Sequence, residues 1–271
     1  MNFITGEKFI ELADFVFAPN RKWDCNKIIN TFCLSKLFDK AIVYTHTMYV
    51  KELFELLDKV PNINVTLISH NCDENVNETY KVPKNVIVWY TTNCDVDNDK
   101  IKSIPIGLEN NQWFTEIHKK NKMGLKLTEP KKFKNLVYVN FNIDTNKKER
   151  QECFDYFKTQ CSCWVTIDNK KNGIDFDNYL DNIYNHKFVV CPDGNGIDTH
   201  RLWETLYMNS IPIVKRNINT IFYEDLPICF IHNWDEVTEE FLVRSYIKIK
   251  TEKWNLQKLD FNYWKQLIKN I

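Results

Sequence analysis

The stretch from Phe188 to Arg216 constrains this chain more than any other. Phe188-Val189-Val190 is an apolar strand that runs into Cys191-Pro192-Asp193-Gly194-Asn195-Gly196-Ile197-Asp198, a turn with two glycines. A helix follows, and Arg201 and Glu204 sit three residues apart near its start, on one face. Ile211-Pro212-Ile213-Val214 is a second apolar strand, ending on Lys215-Arg216. Strand, glycine turn, helix and strand make a βαβ unit whose helix N-terminus can hold an anion. Glycines let the backbone approach a phosphate, an arginine neutralises it, and a glutamate grips sugar hydroxyls.

A chain of 271 residues fits one large domain or two of about 130. Its hydrophobic content of 44%, with eight Trp, twelve Tyr and eighteen Phe, supplies a core. Balanced charge, 36 basic against 36 acidic residues, predicts neither a nucleic-acid groove nor a basic membrane-binding helix. The segment Met1 to Lys8 lacks a charged leader before an apolar core, and no segment nears the roughly 18 apolar residues of a spanning helix. The expectation is a cytoplasmic protein without a membrane span. Nine cysteines without zinc-knuckle spacing read as mostly buried thiols in a reducing compartment.

Short apolar runs alternate with other segments along the chain. Strands are expected at Ala41–Thr45, Asn64–Ser69, Asn85–Tyr90 and Ile101–Ile106, with an amphipathic helix over Tyr49–Val60. A lysine-rich stretch from Lys119 to Lys134 reads as a connector. Alternation then resumes: a strand at Leu136–Phe141, a helix at Lys147–Lys158, a strand at Trp164–Ile167 and a helix at Asp177–Asn185 precede the opening motif. A strand at Ile228–Ile231 and C-terminal helices with Trp254, Phe261, Trp264 and Leu267 complete the chain. This pattern predicts an α/β protein of two Rossmann-like, parallel-sheet domains facing a cleft, the GT-B plan in compact form.

Ligands of open α/β sheets sit beyond the carboxyl ends of the strands. Both the Pro192–Asp198 turn and the loop Asn142-Ile143-Asp144-Thr145-Asn146 leave strands at such an edge. Asn142, Thr145 and Arg150 form a second possible diphosphate cradle, against the alternative that Arg150 lies on a solvated helix face.

Three segments together resemble the exostosin-like glycosyltransferases of family 47 type. They are Pro192–Glu204 with Asn209–Val214, Ser69-His70-Asn71-Cys72-Asp73, and Ile104-Pro105-Ile106-Gly107-Leu108-Glu109-Asn110-Asn111-Gln112-Trp113. The resemblance implies a GT-B fold, a nucleotide-sugar donor and inversion at the anomeric carbon. It implies Arg201 on the diphosphate and Glu204 on the ribose, with Gly194, Asn195 and Gly196 shaping the pocket. Asp198, His200, Asn142, Arg150 and Lys215 complete the expected donor set. Residues 1–125 would form the acceptor domain, 126–250 the donor domain, and 251–271 helices packed on the body. Ten residues separate Asp193 from Glu204 where retaining relatives carry a closer glutamate pair, which favours inversion.

Inverting transfer needs a base for the acceptor hydroxyl. His70 with Asp73, Glu109 and His46 are the candidates at strand ends, and Trp113 could stack on a sugar ring. Asp95-Val96-Asp97 offers a D-x-D pair of the kind that holds a cation on a donor diphosphate in the competing metal-dependent GT-A fold. An EF-hand fails, because Lys100 and Ile106 stand where Gly and Glu are required. The expected function is therefore metal-independent transfer of a sugar, UDP-linked for preference, to a hydroxyl of a glycan or other acceptor. No cofactor and no nucleic-acid partner are expected. The alternatives are a non-catalytic nucleotide- or sugar-binding module, and a GT-A transferase using Asp95 and Asp97.

Overall fold

Apolar segments of five or six residues form strands here because they are buried on both faces, as parallel sheets require. The structure, a computed structural model, describes residues 1–19, 29–111, 123, 131, 133–168 and 175–270. Trp113 and most of the expected connector from Lys119 to Lys134 lie outside the described residues.

The chain divides into two compact units. The N-terminal unit comprises Asn2–Trp113, Gly196–Asp198 and Asp260–Ile271; the C-terminal unit comprises Phe114–Asn195 and Thr199–Leu259, with Met1. Each carries a five-stranded, all-parallel sheet, so the protein is α/β with two parallel sheets.

In the N-terminal unit the strands are β1 (Phe15–Phe17), β2 (Ala41–His46), β3 (Val65–His70), β4 (Val86–Thr91) and β5 (Ile101–Ser103), in the spatial order 1-2-3-4-5. Every crossover steps the same way, and right-handed crossovers then place the connections on one face. Helix α2 (Val50–Leu57) covers that face, where Phe54 meets Trp89 edge-on at 5.4 Å. The other face is covered by α1 (Gly6–Ile10) and by α8 (Phe261–Lys269) from the far end of the chain. Phe9 stacks on His70 of β3, and Phe261 closes on Phe9 at 5.2 Å. Phe261 N also donates to Asn2 O at 2.8 Å. Strand β1 and helix α1 were not foreseen, since three to five residues are too few to show a period.

In the C-terminal unit the strands are β6 (Asn135–Val139), β7 (Val165–Ile167), β8 (His186–Val190), β9 (Ile211–Lys215) and β10 (Cys229–Ile231), in the order 7-6-8-9-10. The order reverses at β6. Helix α3 (Lys147–Lys158) and helix α7 (Glu239–Thr251) share one core cluster with β6, β8, β9 and β10 through Cys153, Phe157, Leu242 and Ile249. Helices α4 (Phe176–Tyr184) and α5 (His200–Tyr207) pack on each other. Reversal of a right-handed winding puts α3 and the α4–α5 pair on opposite faces. The short α6 (Ile218–Ile221) follows β9, held by an Asn217–Thr220 capping box. Only this sheet has the order reversal that makes a ligand crevice; the sequential N-terminal sheet departs from a Rossmann order in lacking one.

One lysine of this unit has a consequence for stability. Lys131 Nζ donates to Asn209 O and Ser210 Oγ, both at 2.8 Å, and lies 4.7 Å from the Tyr184 ring centre. Burial, with repulsion from Lys250 added, lowers its pKa from 10.5 to about 7. Unfolded, the ammonium keeps its proton up to 10.5; folded, it releases it near 7. Between those values the unfolded chain binds more protons, so stability should rise with pH, by at most about 1.4 kcal/mol per unit from this group. Below about 7 both states are charged and the full cost of the buried ammonium remains. Denaturant unfolding from pH 7 to 9.5 should show the rise in the wild type and a flatter profile in Lys131→Met. Parallel profiles would refute the assignment.

Candidate functional site

The two loops that leave the switch point of the C-terminal sheet are tied together by one side chain. Arg150, in the first turn of α3, donates from Nη1 to Asn142 O and from Nε to Asp193 O, each at 2.8 Å. Asn142 follows β6 and Asp193 follows β8, so the guanidinium bridges the strands between which the winding reverses. Asn146, the cap of α3, adds a bond from Nδ2 to Gly194 O at 3.1 Å. Arg150 is thus buried rather than on a solvated helix face. Burial, and then the nearby charge of Arg201, lower its pKa to about 10. Two guanidiniums close enough to repel, beside a backbone turn at a sheet's carboxyl edge, are an arrangement that can accept an anion.

Gly194 is required by close approach. A Cβ there would lie 2.8 Å from Arg150 Nη2. The guanidinium cannot swing away without leaving Asn142 O or Asp193 O. Gly194→Ala should therefore weaken anion binding by about tenfold, the worth of one charge-assisted hydrogen bond. In an Arg150→Gln background the same change should be nearly silent, because its effect acts through the guanidinium. Equal losses in both backgrounds, measured by calorimetric titration, would reject this coupling.

Arg201 and Glu204 do not pair directly. Tyr179 of α4 stands between them: its hydroxyl donates to Glu204 Oε2 at 2.7 Å and accepts from Arg201 Nη1 at 3.1 Å. The Arg201 guanidinium also lies 5.1 Å from the Tyr179 ring centre. Burial works against the charge of Arg201, but Tyr179, Cys191 and Glu204 outweigh it and its pKa is raised. Glu204 is 8% exposed, and its carboxylate is held in place by the phenol. Burial pushes the Cys191 thiol up to about 12, so it is inert at neutral pH. Tyr179 was not anticipated from sequence. It lies with Leu180, Ile183 and Tyr184 on the buried face of its helix, where nothing distinguishes it from a core residue.

The remaining expected donor residues scatter. Lys215 Nζ is held by Glu149 at 3.0 Å and Glu152 at 3.2 Å, over the Trp234 ring. With its charge already balanced by two carboxylates, Lys215 is withdrawn from the donor set. Asn142 is exposed and turns its own side chain back on Asp144 N at 3.0 Å. Thr145 Oγ1 likewise donates to Asn142 O. Asn195 is exposed, and His200 opens α5 half-buried.

Gly196 and Asp198 belong to the N-terminal unit. Asp198 N donates to Asn93 Oδ1 at 2.9 Å, and Asp198 Oδ2 accepts from Ile106 N at 2.8 Å. This carboxylate is 3% exposed and fixes main chain.

Among the expected bases, His70 has both ring nitrogens engaged. Nδ1 accepts from Asn71 N at 2.7 Å, which leaves Nε2–H to donate to Pro105 O at 3.1 Å. It is 1% exposed and stacked on Phe9. A buried imidazole bonded on both sides locks strand β3 to the Pro105 segment and is unsuited to proton transfer. Asp73 is exposed, and Glu109 Oε1 accepts from Asn110 N at 3.0 Å. His46 Nδ1 lies 3.2 Å from Asn71 O, so that nitrogen carries a proton, and the ring is buried, with Nε2 out of reach of solvent. Asp95 is half-buried, with its pKa raised by burial and by Glu78, while Asp97 is exposed. Among the described residues no three His, Cys, Asp or Glu side chains converge on a metal-sized site.

No helix among the described residues is long and apolar enough to cross a membrane. No family model matches the chain, and no curated protein matches it in sequence. A crystal structure of an alpha1,3-fucosyltransferase aligns over 90% of this chain and 93% of that one, with a TM-score of 0.40 and 13% identity. A likeness this distant assigns neither a family nor an activity, and the site residues carry the functional reading.

Proposed function

We propose that the protein transfers a sugar from a nucleoside-diphosphate donor, UDP-linked for preference, to a hydroxyl acceptor. The observation that carries this reading is the pair of guanidiniums, Arg150 and Arg201, at the switch point of the C-terminal sheet. One staples the two loops; the other projects from the first turn of α5, fixed by Tyr179. In the transfer step the bond from anomeric carbon to diphosphate breaks and negative charge grows on the diphosphate. A preorganised pair of arginines stabilises that charge without reorganising. Glu204, oriented by Tyr179, offers Oε1 to the ribose hydroxyls. The spacing of Asp193 and Glu204 favours inversion, and the two arginines supply the charge that a metal supplies in other transferases. Within this class the motifs favour an exostosin-like enzyme.

The occupied nitrogens of His70 support the second reading, a module that binds donor without turning it over. A thermal-shift screen against UDP-, GDP- and CMP-sugars tests the main proposal. A donor that binds the folded state stabilises it by mass action, by about 2.7 kcal/mol at a hundredfold excess over its Kd, and so raises the melting point. No shift with any of the three would discard the reading. A shift without transfer or donor hydrolysis would select the module.

A further inference from the structure

Away from the anion site, the turn between α3 and β7 carries two exposed thiols one residue apart, Cys161 and Cys163. The turn is rigidly built. Cys161 O accepts from both Trp164 N and Val165 N at 3.2 Å, and Ser162 O accepts from Asn135 Nδ2 at 3.2 Å. Trp164, 6% exposed, anchors it in the core. Within this frame Cys163 N donates to Cys161 Sγ at 3.3 Å, and the Cys163 thiol donates a further bond to the same sulfur. Cys163 therefore turns both its main-chain N–H and its thiol toward Cys161 Sγ.

We propose that Cys161 and Cys163 form a dithiol exchange site that low-molecular-weight disulfides of the glutathione type oxidise reversibly to an intramolecular disulfide. Cys161 is the attacking thiol. The hydrogen bond from the Cys163 thiol, and then the main-chain N–H, lower its pKa, whereas donating that bond raises the pKa of Cys163. A thiolate is the nucleophile in exchange, and access governs its rate. The Cys161 thiolate attacks one sulfur of glutathione disulfide, forms a mixed disulfide and expels one glutathione thiolate. Cys163 then loses its proton, attacks Cys161 Sγ and expels the second. The dithiol has lost two electrons and two protons, and one glutathione disulfide has become two glutathiones. Cα atoms two residues apart in a turn are about 5–6 Å apart, within the span a disulfide bridges.

The other described cysteines do not combine these features. Cys94, Cys153, Cys191 and Cys229 are buried, half-buried Cys72 has its pKa raised by burial, and Cys33 has a serine as its partner. Full-length protein treated with glutathione disulfide should lose two hydrogens in the peptide carrying Cys161 and Cys163, as read by mass spectrometry without reduction. Cys163→Ser should trap glutathione on Cys161, and Cys161→Ser should react several-fold more slowly at Cys163. Dithiothreitol should reverse all three products. The proposal fails if the wild type accumulates an unresolved mixed disulfide at either thiol. It fails equally if both stay reduced while Cys33 is modified, or if the two serine variants react at the same rate.

Discussion

Replacing Arg201 by methionine lowers the affinity for a nucleoside diphosphate by about 100-fold, with only a modest loss of stability. A guanidinium gripping a phosphate through charge-assisted hydrogen bonds contributes about 1.5–3 kcal/mol, and each 1.4 kcal/mol is a factor of ten. The fold tolerates the change because, among the described residues, the Arg201 guanidinium makes one hydrogen bond, to the Tyr179 hydroxyl at 3.1 Å. Glu204 keeps the phenol's proton at 2.7 Å. Methionine conserves the stem, so packing against Tyr179 survives. Arg150→Met should behave differently, because that guanidinium also holds Asn142 O and Asp193 O. It should lose binding and about 2 kcal/mol or more of stability together, leaving two partly buried carbonyls unmatched. Titration with uridine diphosphate beside denaturant unfolding separates the cases. Wild-type affinity in Arg201→Met would remove the residue from the site.

The largest expected loss of stability comes from Gly107→Ala. Gly107 has φ +69, and a Cβ there would fall 2.4 Å from Ile4 O and 2.7 Å from Ile4 C. The obstacle is backbone, which cannot rotate aside as a side chain can. Ile4 is fully buried, and its carbonyl also accepts from Leu108 N at 2.8 Å. Alanine in the left-handed region costs about 1 kcal/mol, and displacing Ile4 strains or breaks the bridge of Thr5 with Leu108. A total of about 3 kcal/mol or more corresponds to a fall in Tm of about 10 °C for a domain of this size. Gly107→Asn should fare little better, since asparagine tolerates a positive φ but brings the same Cβ. A melting point within about 1 °C of wild type would show that the N-terminal segment yields.

Both residues were visible in the sequence for partial reasons. Gly107 stood inside a proline-and-glycine string, but that Ile4 presses on it follows from a contact across more than a hundred residues. Arg201 and Glu204 were readable as neighbours because helical spacing is local. The phenol between them was not, because Tyr179 arrives from a different helix. His70 shows the limit most plainly. A histidine ending a strand beside Asn71 and Asp73 has the composition of a catalytic pair. Its role depends on Pro105 O, 35 residues away and 3.1 Å distant. Lys215 ended a strand at the expected edge, yet Glu149 and Glu152 claim its charge from α3.

By itself the sequence determined what short-range physics decides: which runs are strands, where the long helices lie, and that a glycine turn precedes the helix bearing Arg201 and Glu204. Hydrophobic periodicity and turn chemistry act over a few residues, so one strand of text suffices to read them. Only the tertiary structure decided the strand orders, the reversal at β6 that singles out the C-terminal sheet, and the partners of Arg150, Arg201, His70 and Lys215. Those depend on which segments meet after the chain has folded. A side chain's charge, tautomer and freedom to react are set by the groups it meets there.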